Sequence, residues 1–329
     1  MKKNILCFFR ASLGDFYLSF PLFYTLRNTF KNDKLTLIAS PLATDLLYNK
    51  GPWFDEIISL ENYVPERNFD RVFDFNINNT GLSATFKPGM DIFEILETTH
   101  EVSFNRKKFP ELFKLEVTQE EKLGVDDLLE NTKRLDAKNI VLHTTHMNKF
   151  PYGKTPPWEW WNELISLYPQ HNFYQVGTTR KLAERIVPDY SFVGHFPNLT
   201  DLRDGYTNSN GGNLRQTAYL LEQTDFYIAI DSVVAHLSLS SQKRGLVIWG
   251  SSSQDIHGHK HNYNLNADRP CSPCIDLSTN PNCCLFRDAS LYPKVGAVAR
   301  VLRENFLLNP PKKSGWLIEE NAENLTKNL

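Results

Sequence analysis

Short apolar runs rich in strand formers alternate along this chain with longer stretches whose apolar residues recur at helical spacing. Continuous apolar runs mark strands buried on both faces, which is the signature of parallel sheets covered by helices. In the first half the pattern predicts strands at 4–9, 34–40, 56–60 and 71–76. A helix runs from Phe16 toward Phe30 and should kink or split at Pro21. Further helices are predicted at 91–99 and 120–131, with turns at Gly81 and Pro88-Gly89 between them. In the second half, strands at 139–145, 172–176, 191–195, 226–230 and 245–249 alternate with helices at 158–168, 181–187, 214–223, 234–241 and 291–305. Asn213 is placed to cap the helix at 214. Residues 133–138 are charged and nearly free of large apolar groups, so they read as a linker. The expected division is an N-terminal α/β domain over 1–135, a second of similar design over 136–305, and a tail over 306–329.

At 329 residues the chain is long enough for two such cores. It has 36 basic and 38 acidic residues, and the net charge of −2 argues against nucleic acid as a main partner. The apolar run behind Lys2 and Lys3 is broken too early, by Arg10 and Asp15, for a signal peptide. No stretch approaches the ~18 apolar residues that read as a bilayer span. The expectation is a cytoplasmic protein. Four of its five cysteines lie between 271 and 284 rather than being distributed to staple loops.

In sheets of this kind ligands bind beyond the carboxyl ends of the strands. The first strand runs into Arg10-Ala-Ser-Leu-Gly-Asp15, which sets one carboxylate at a helix start and at the mouth of any cleft. A helix start favours negative charge by ~0.3–1 kcal/mol, so Asp15 can be a helix cap or a working base. In the second half, Asp231-Ser232-Val233-Val234-Ala235-His236 turns a strand into a helix whose first N–H groups and Ser232 hydroxyl can hold phosphate oxygens. His236 falls one turn inside, as a core histidine or a ligand contact. Thr144 and Thr145 end the strand at 139–145, and Lys154 follows as a point charge suited to a diphosphate or as a solvated loop lysine. Gly177 and Gly250 follow strands where backbone can approach a nucleotide closely. Of Trp158, Trp160 and Trp161, the last is assigned to the core and at least one of the others is expected to be exposed, with packing favoured over adenine stacking.

These segments together resemble the ADP-heptose:lipopolysaccharide heptosyltransferases, glycosyltransferase family nine, from Ile5 to about Leu302. The anchors are Arg10 to Asp15 with Pro21-Leu22, Lys154 ahead of Pro157 and Glu163-Leu164, and Leu214-Arg215 through Asp231-Ser232 to His236. The resemblance implies an α/β fold of GT-B type, two Rossmann-like parallel-sheet domains facing a central cleft. It implies an inverting, metal-independent transfer of heptose from ADP-heptose to a lipopolysaccharide-core or related surface-glycan acceptor, with peripheral contact at the inner face of the cytoplasmic membrane. Asp15 takes the place of the general base, with Gly14 beside it on the donor side and Arg10 on the acceptor side. Lys154 takes the place of the donor-diphosphate lysine. Thr144, Thr145, Gly177, Asp231, Ser232, His236 and Gly250 line the donor site.

The chemistry agrees with the resemblance, because a leaving diphosphate can be neutralised by a lysine, a hydroxyl and a helix start, without a divalent ion. The chain contains no Asp-x-Asp triplet to hold a nucleotide-bound metal. One departure is Val233, where the family usually has glycine; a β-branched residue resists positive φ, so the turn must differ or the phosphate contact must shift. Residues 77–115 also match the family poorly. The open alternatives are another nucleotide sugar, a protein acceptor, or a relative that binds nucleotide or glycan without turnover. The resemblance implies that no cofactor is required for catalysis. Cys271, Cys274, Cys283 and Cys284 could hold a structural zinc or iron, as against reduced thiols in a packed loop. His257, His259 and His261 alternate in a polar loop, where hydrogen bonding is favoured over metal binding.

Overall fold

A computed structural model describes residues 2–10, 12–63, 68–75, 89–144, 154–177, 196–203, 214–250, 252–268, 289–306 and 308. Strands β1 (Asn4–Phe8), β2 (Lys34–Ala39), β3 (Glu56–Ser59) and β4 (Arg71–Asp74) form a parallel sheet in the order β3-β2-β1-β4. Helices α1 (Leu13–Leu18), α2 (Phe20–Thr29) and the short α3 (Pro41–Thr44) follow its first two strands; α4 (Ile92–His100), α5 (Phe109–Phe113) and α6 (Gln119–Asn131) come after the fourth. A second parallel sheet has the order β10-β9-β8-β5-β6-β7, built from β5 (Asn139–His143), β6 (Asn172–Gln175), β7 (Leu199–Asp201), β8 (Phe226–Ile230), β9 (Gly245–Trp249) and β10 (Tyr263–Asn266). Helices α7 (Trp158–Ser166), α8 (Leu214–Gln223), α9 (Val233–Ser241), α10 (Gln254–His257) and α11 (Val295–Phe306) accompany it. The fold class is α/β with two all-parallel sheets, as the apolar runs predict.

Most expected elements are found within a residue or two of their positions. The strand expected at 191–195 and the helix at 181–187 lie outside the described residues, as does nearly all of the tail. The helix expected from Phe16 to Phe30 is two helices. Helix α1 starts three residues earlier because Ser12 and Asp15 form a reciprocal capping box. The break falls at Ser19, whose N–H reaches the Asp15 carbonyl at 3.0 Å. Pro21 then sits in the first turn of α2, where a missing N–H is harmless. The last helix begins at Val295 rather than 291, since Pro293 disfavours helical backbone at the residue before it.

The first core is dense in aromatic rings. Phe9 meets Phe16 edge-on at 4.9 Å between centroids, and Phe20, Phe23, Phe75 and Phe113 continue the cluster. Each ring so buried contributes about 1.5–3 kcal/mol from area alone. The cluster extends from α1 and α2 to Val234 and Leu237 of α9 and to Tyr227 and Val247 of the second sheet. Arg215 on α8 strengthens the link, donating to Glu121 on α6 at 2.5 Å and to Asp45 beyond α3 at 2.9 Å. The opposite face of the second sheet is covered by α7 and α11, where Trp161, Leu164, Val298 and Leu302 are fully buried. Trp160 donates its ring N–H to the Pro293 carbonyl, while Trp158 stays exposed. Among the described residues no helix is long and apolar enough to cross a membrane.

Candidate functional site

Helix α1 follows β1 and α9 follows β8, so each begins at the carboxyl end of a strand, and the packing of α1 on α9 brings the two starts together. Residue 14 marks the contact. A Cβ built on Gly14 would lie 2.9 Å from Cδ2 of His236, 3.4 Å from its Nε2 and 3.6 Å from the Val233 nitrogen. Only a residue without a side chain permits that approach. Gly14→Ala is therefore expected to lower stability by about 1–3 kcal/mol, because His236 is enclosed and cannot swing aside. Chemical denaturation of the two proteins measures it, and equal midpoints would refute the close contact.

Asp15 is the third residue of α1 and half-buried. Its Oδ2 accepts from the Ser12 N–H at 3.2 Å and the Ser12 hydroxyl at 2.8 Å. The cap thus holds the carboxylate in one orientation at the helix start. Arg10 is exposed, 3.6 Å from Asp74 and 4.4 Å from the centre of the Phe8 ring.

On the facing side, the Lys154 ammonium lies 2.6 Å from Oδ2 of Asp231. The same oxygen accepts from the Ser252 hydroxyl. Burial alone would push the Asp231 carboxyl up, but the Lys154 ammonium holds it well below the ordinary carboxylate range. Asp231 is thereby a fixed counter-charge that aims Lys154, whose two other protons remain available to an anion. Ser232 precedes α9 and makes no capping hydrogen bond; its hydroxyl is 3.0 Å from Nδ1 of His143. Val233 is the first residue of α9, and positive φ among the non-glycine described residues is confined to Asn49, Glu101, Asp136 and Gln242. The turn therefore asks nothing of Val233 that a β-branched residue cannot give.

His236 is buried, and burial pushes its imidazole down to about 3, against the pull of the Asp231 carboxylate. It is a neutral ring. Thr144 is fully buried, its hydroxyl accepting from the Gln175 amide at 2.8 Å and its carbonyl from Thr155 at 3.1 Å. It therefore ties β5 to β6 and to the segment leading into α7. Gly177 follows β6 at φ 132°, a conformation that needs glycine, and Gly250 is buried behind β9. Thr145, Cys271, Cys274, Cys283 and Cys284 lie outside the described residues. Among the described residues no group of three or more His, Cys, Asp or Glu side chains is placed to hold a metal.

His143 and Ser252 join this constellation without having been singled out from the sequence. His143 ends a continuous apolar strand, and that position was its signal. Ser252 sits two residues past β9 in a serine run, where nothing distinguishes one hydroxyl from the next.

The arrangement can be set beside known structures. A family 9 glycosyl transferase from Veillonella parvula superposes with a TM-score of 0.61 at 14% identity, over 93% of this chain and 98% of that one. The chain has the fold of the family 9 glycosyltransferases. The iron-containing dodecameric glycosyltransferase TibC from enterotoxigenic E. coli gives 0.57 at 13% identity, over 92% of this chain and 76% of TibC. E. coli ADP-heptose lps heptosyltransferase II gives 0.52 at 13%, over 93% and 99%. No protein-family model matches the sequence, and no curated protein matches it. What is shared is architecture, which is why the residues at the meeting of α1 and α9 must carry the functional argument.

Proposed function

We propose that this chain is an inverting, metal-independent glycosyltransferase moving a heptose from ADP-heptose to a lipopolysaccharide-core or related surface-glycan acceptor. The observation that carries the reading is the meeting of two helix starts at Gly14, one bearing Asp15 and the other lying between Ser232 and His236. An acid and an anion cradle then face a common space, which is what displacement at an anomeric carbon needs. Asp15 takes the proton of the acceptor hydroxyl as that oxygen bonds to the anomeric carbon. The bond from that carbon to the diphosphate breaks on the opposite face, and ADP leaves with the electron pair. Lys154, the Ser232 hydroxyl and the first N–H groups of α9 meet the charge that develops on the diphosphate. The Ser232 proton is free for this when Nδ1–H of His143 donates to Ser232.

In this reading residues 1–135 present the acceptor, with Arg10 at its edge, and 136–305 bind the donor. The donor assignment draws on TibC, whose structure has been solved in complex with ADP-D-beta-D-heptose, and on the E. coli heptosyltransferase WaaC, solved with ADP. The enzyme would work in the cytoplasm, at the inner membrane face where such an acceptor is displayed.

ADP release from ADP-heptose in the presence of an acceptor extract tests the reaction, and calorimetry with ADP tests the site. Lys154→Ala is expected to weaken ADP binding roughly 10- to 100-fold, the worth of one charge-assisted contact. ADP binding without turnover would make the chain a nucleotide-binding relative, and an unchanged dissociation constant in the variant would remove Lys154 from the site.

A further inference from the structure

His236 does not stand alone behind Gly14. Its Nδ1 is 3.0 Å from Nε2 of His259, and the two rings meet edge-on at 5.2 Å. His259, also buried, stacks parallel on His261 at 5.8 Å and 2°. Nε2 of His261 is 3.0 Å from the Ser238 hydroxyl, which gives its own proton to the Ala235 carbonyl at 2.7 Å. Ser238 can then only accept, so His261 carries its proton on Nε2. Burial pushes all three rings down, and each is neutral with a single N–H. Asp231, His257 and Lys154 act on His236 as well, the first against its loss of charge and the other two with it.

Between His236 and His259, one nitrogen must donate and the other accept. If His236 donated, its Nε2 would turn a lone pair toward the start of α1 and the space assigned to the diphosphate, where anionic oxygens would be repelled. If His259 donates, His236 carries its proton on Nε2 and offers it there. We propose that His259 is a positioning residue that gives its Nε2–H to Nδ1 of His236 and so holds His236 as the tautomer able to donate to diphosphate oxygens. The proposal rests on the donor site described above. It gives the alternating histidines a task without metal: a packed support that decides which way one ring's proton points.

The test uses the full chain with 15N-labelled histidine. Long-range proton–nitrogen NMR is expected to show His236 protonated on Nε2 in the wild type and in His259→Gln, whose side-chain amide can still donate. In His259→Leu the donor is gone, the Nε2–H signature is expected to be lost, and ADP binding to weaken about tenfold, the worth of one buried hydrogen bond. Recovery of that affinity by His259→Gln separates positioning from packing. A wild-type His236 protonated on Nδ1, or a His259→Leu protein with unchanged spectrum and ADP affinity, overturns the proposal. Should wild-type protein bind no ADP, the nucleotide reading fails, and the tautomer spectra still decide what His259 does.

Discussion

Replacing Asp15 by asparagine is expected to slow ADP release about 10²- to 10⁴-fold, the usual contribution of a positioned base. The acceptor hydroxyl loses its proton only as its oxygen bonds to the anomeric carbon, and an amide cannot take that proton. The substitution is otherwise mild. Oδ2 of Asp15 accepts from the Ser12 N–H and hydroxyl, and an amide oxygen can accept both. The capping box keeps its geometry, α1 keeps its start, and Gly14 stays against His236. Melting temperature and ADP affinity should therefore stay close to wild type while turnover collapses. That split matters, because a residue acting only in the helix cap, whose two hydrogen bonds asparagine keeps, leaves turnover as well as stability unchanged. Steady-state ADP release beside a thermal melt distinguishes the two, and wild-type turnover in Asp15→Asn would leave Asp15 a cap and nothing more.

The second sheet was legible in the sequence because burial on both faces forces unbroken apolar runs. Phe226-Tyr-Ile-Ala-Ile230 and Gly245-Leu-Val-Ile-Trp249 are buried along their whole length. The edge strands β7 and β10 escaped for the complementary reason. In Tyr263-Asn-Leu-Asn266 every second residue is an amide, and the strand is only partly buried. Asn264 belongs there because its side chain accepts the ring N–H of Trp249 at 2.8 Å, a contact between adjacent strands that no local pattern announces. The site divides in the same way. Asp15, Lys154, Ser232 and His236 sit at junctions between a strand or loop and a helix, positions that sequence marks well. What sequence could not give was their partners: Asp231 as counter-charge to Lys154, Ser252 on the same oxygen, His259 behind His236. Each pairs residues from different segments, 21 to 77 positions apart. The buried Thr144 hydroxyl belongs with them, since its partner Gln175 lies on the neighbouring strand.

Asp231→Ala should be the most destabilising single change at the site, by about 3 kcal/mol, because removing one partner of a buried ion pair strands the other charge. The Asp231 side chain is 7% exposed and that of Lys154 21%, so water relieves only part of the loss. For a chain of this length the melting temperature should fall by roughly 5–10 °C. The pH dependence identifies the cause. A carboxyl held down in the folded state binds fewer protons there than in the unfolded chain. Its stabilisation is therefore complete above the unfolded value of about 3.9 and is lost as pH falls toward the folded one. The gap between wild type and variant should thus be constant from pH 5 to pH 8 and narrow only below about pH 4. A second substitution gives an independent check. Removing both charges, in Lys154→Met with Asp231→Leu, should restore much of the stability, since an apolar pair leaves no unpaired charge and only the Ser252 hydroxyl loses its Asp231 acceptor. It should not restore ADP binding, because the diphosphate would have lost its lysine. Equal melting temperatures for wild type and Asp231→Ala at neutral pH, or a gap that widens in acid, would mean that Asp231 does not hold Lys154 in place.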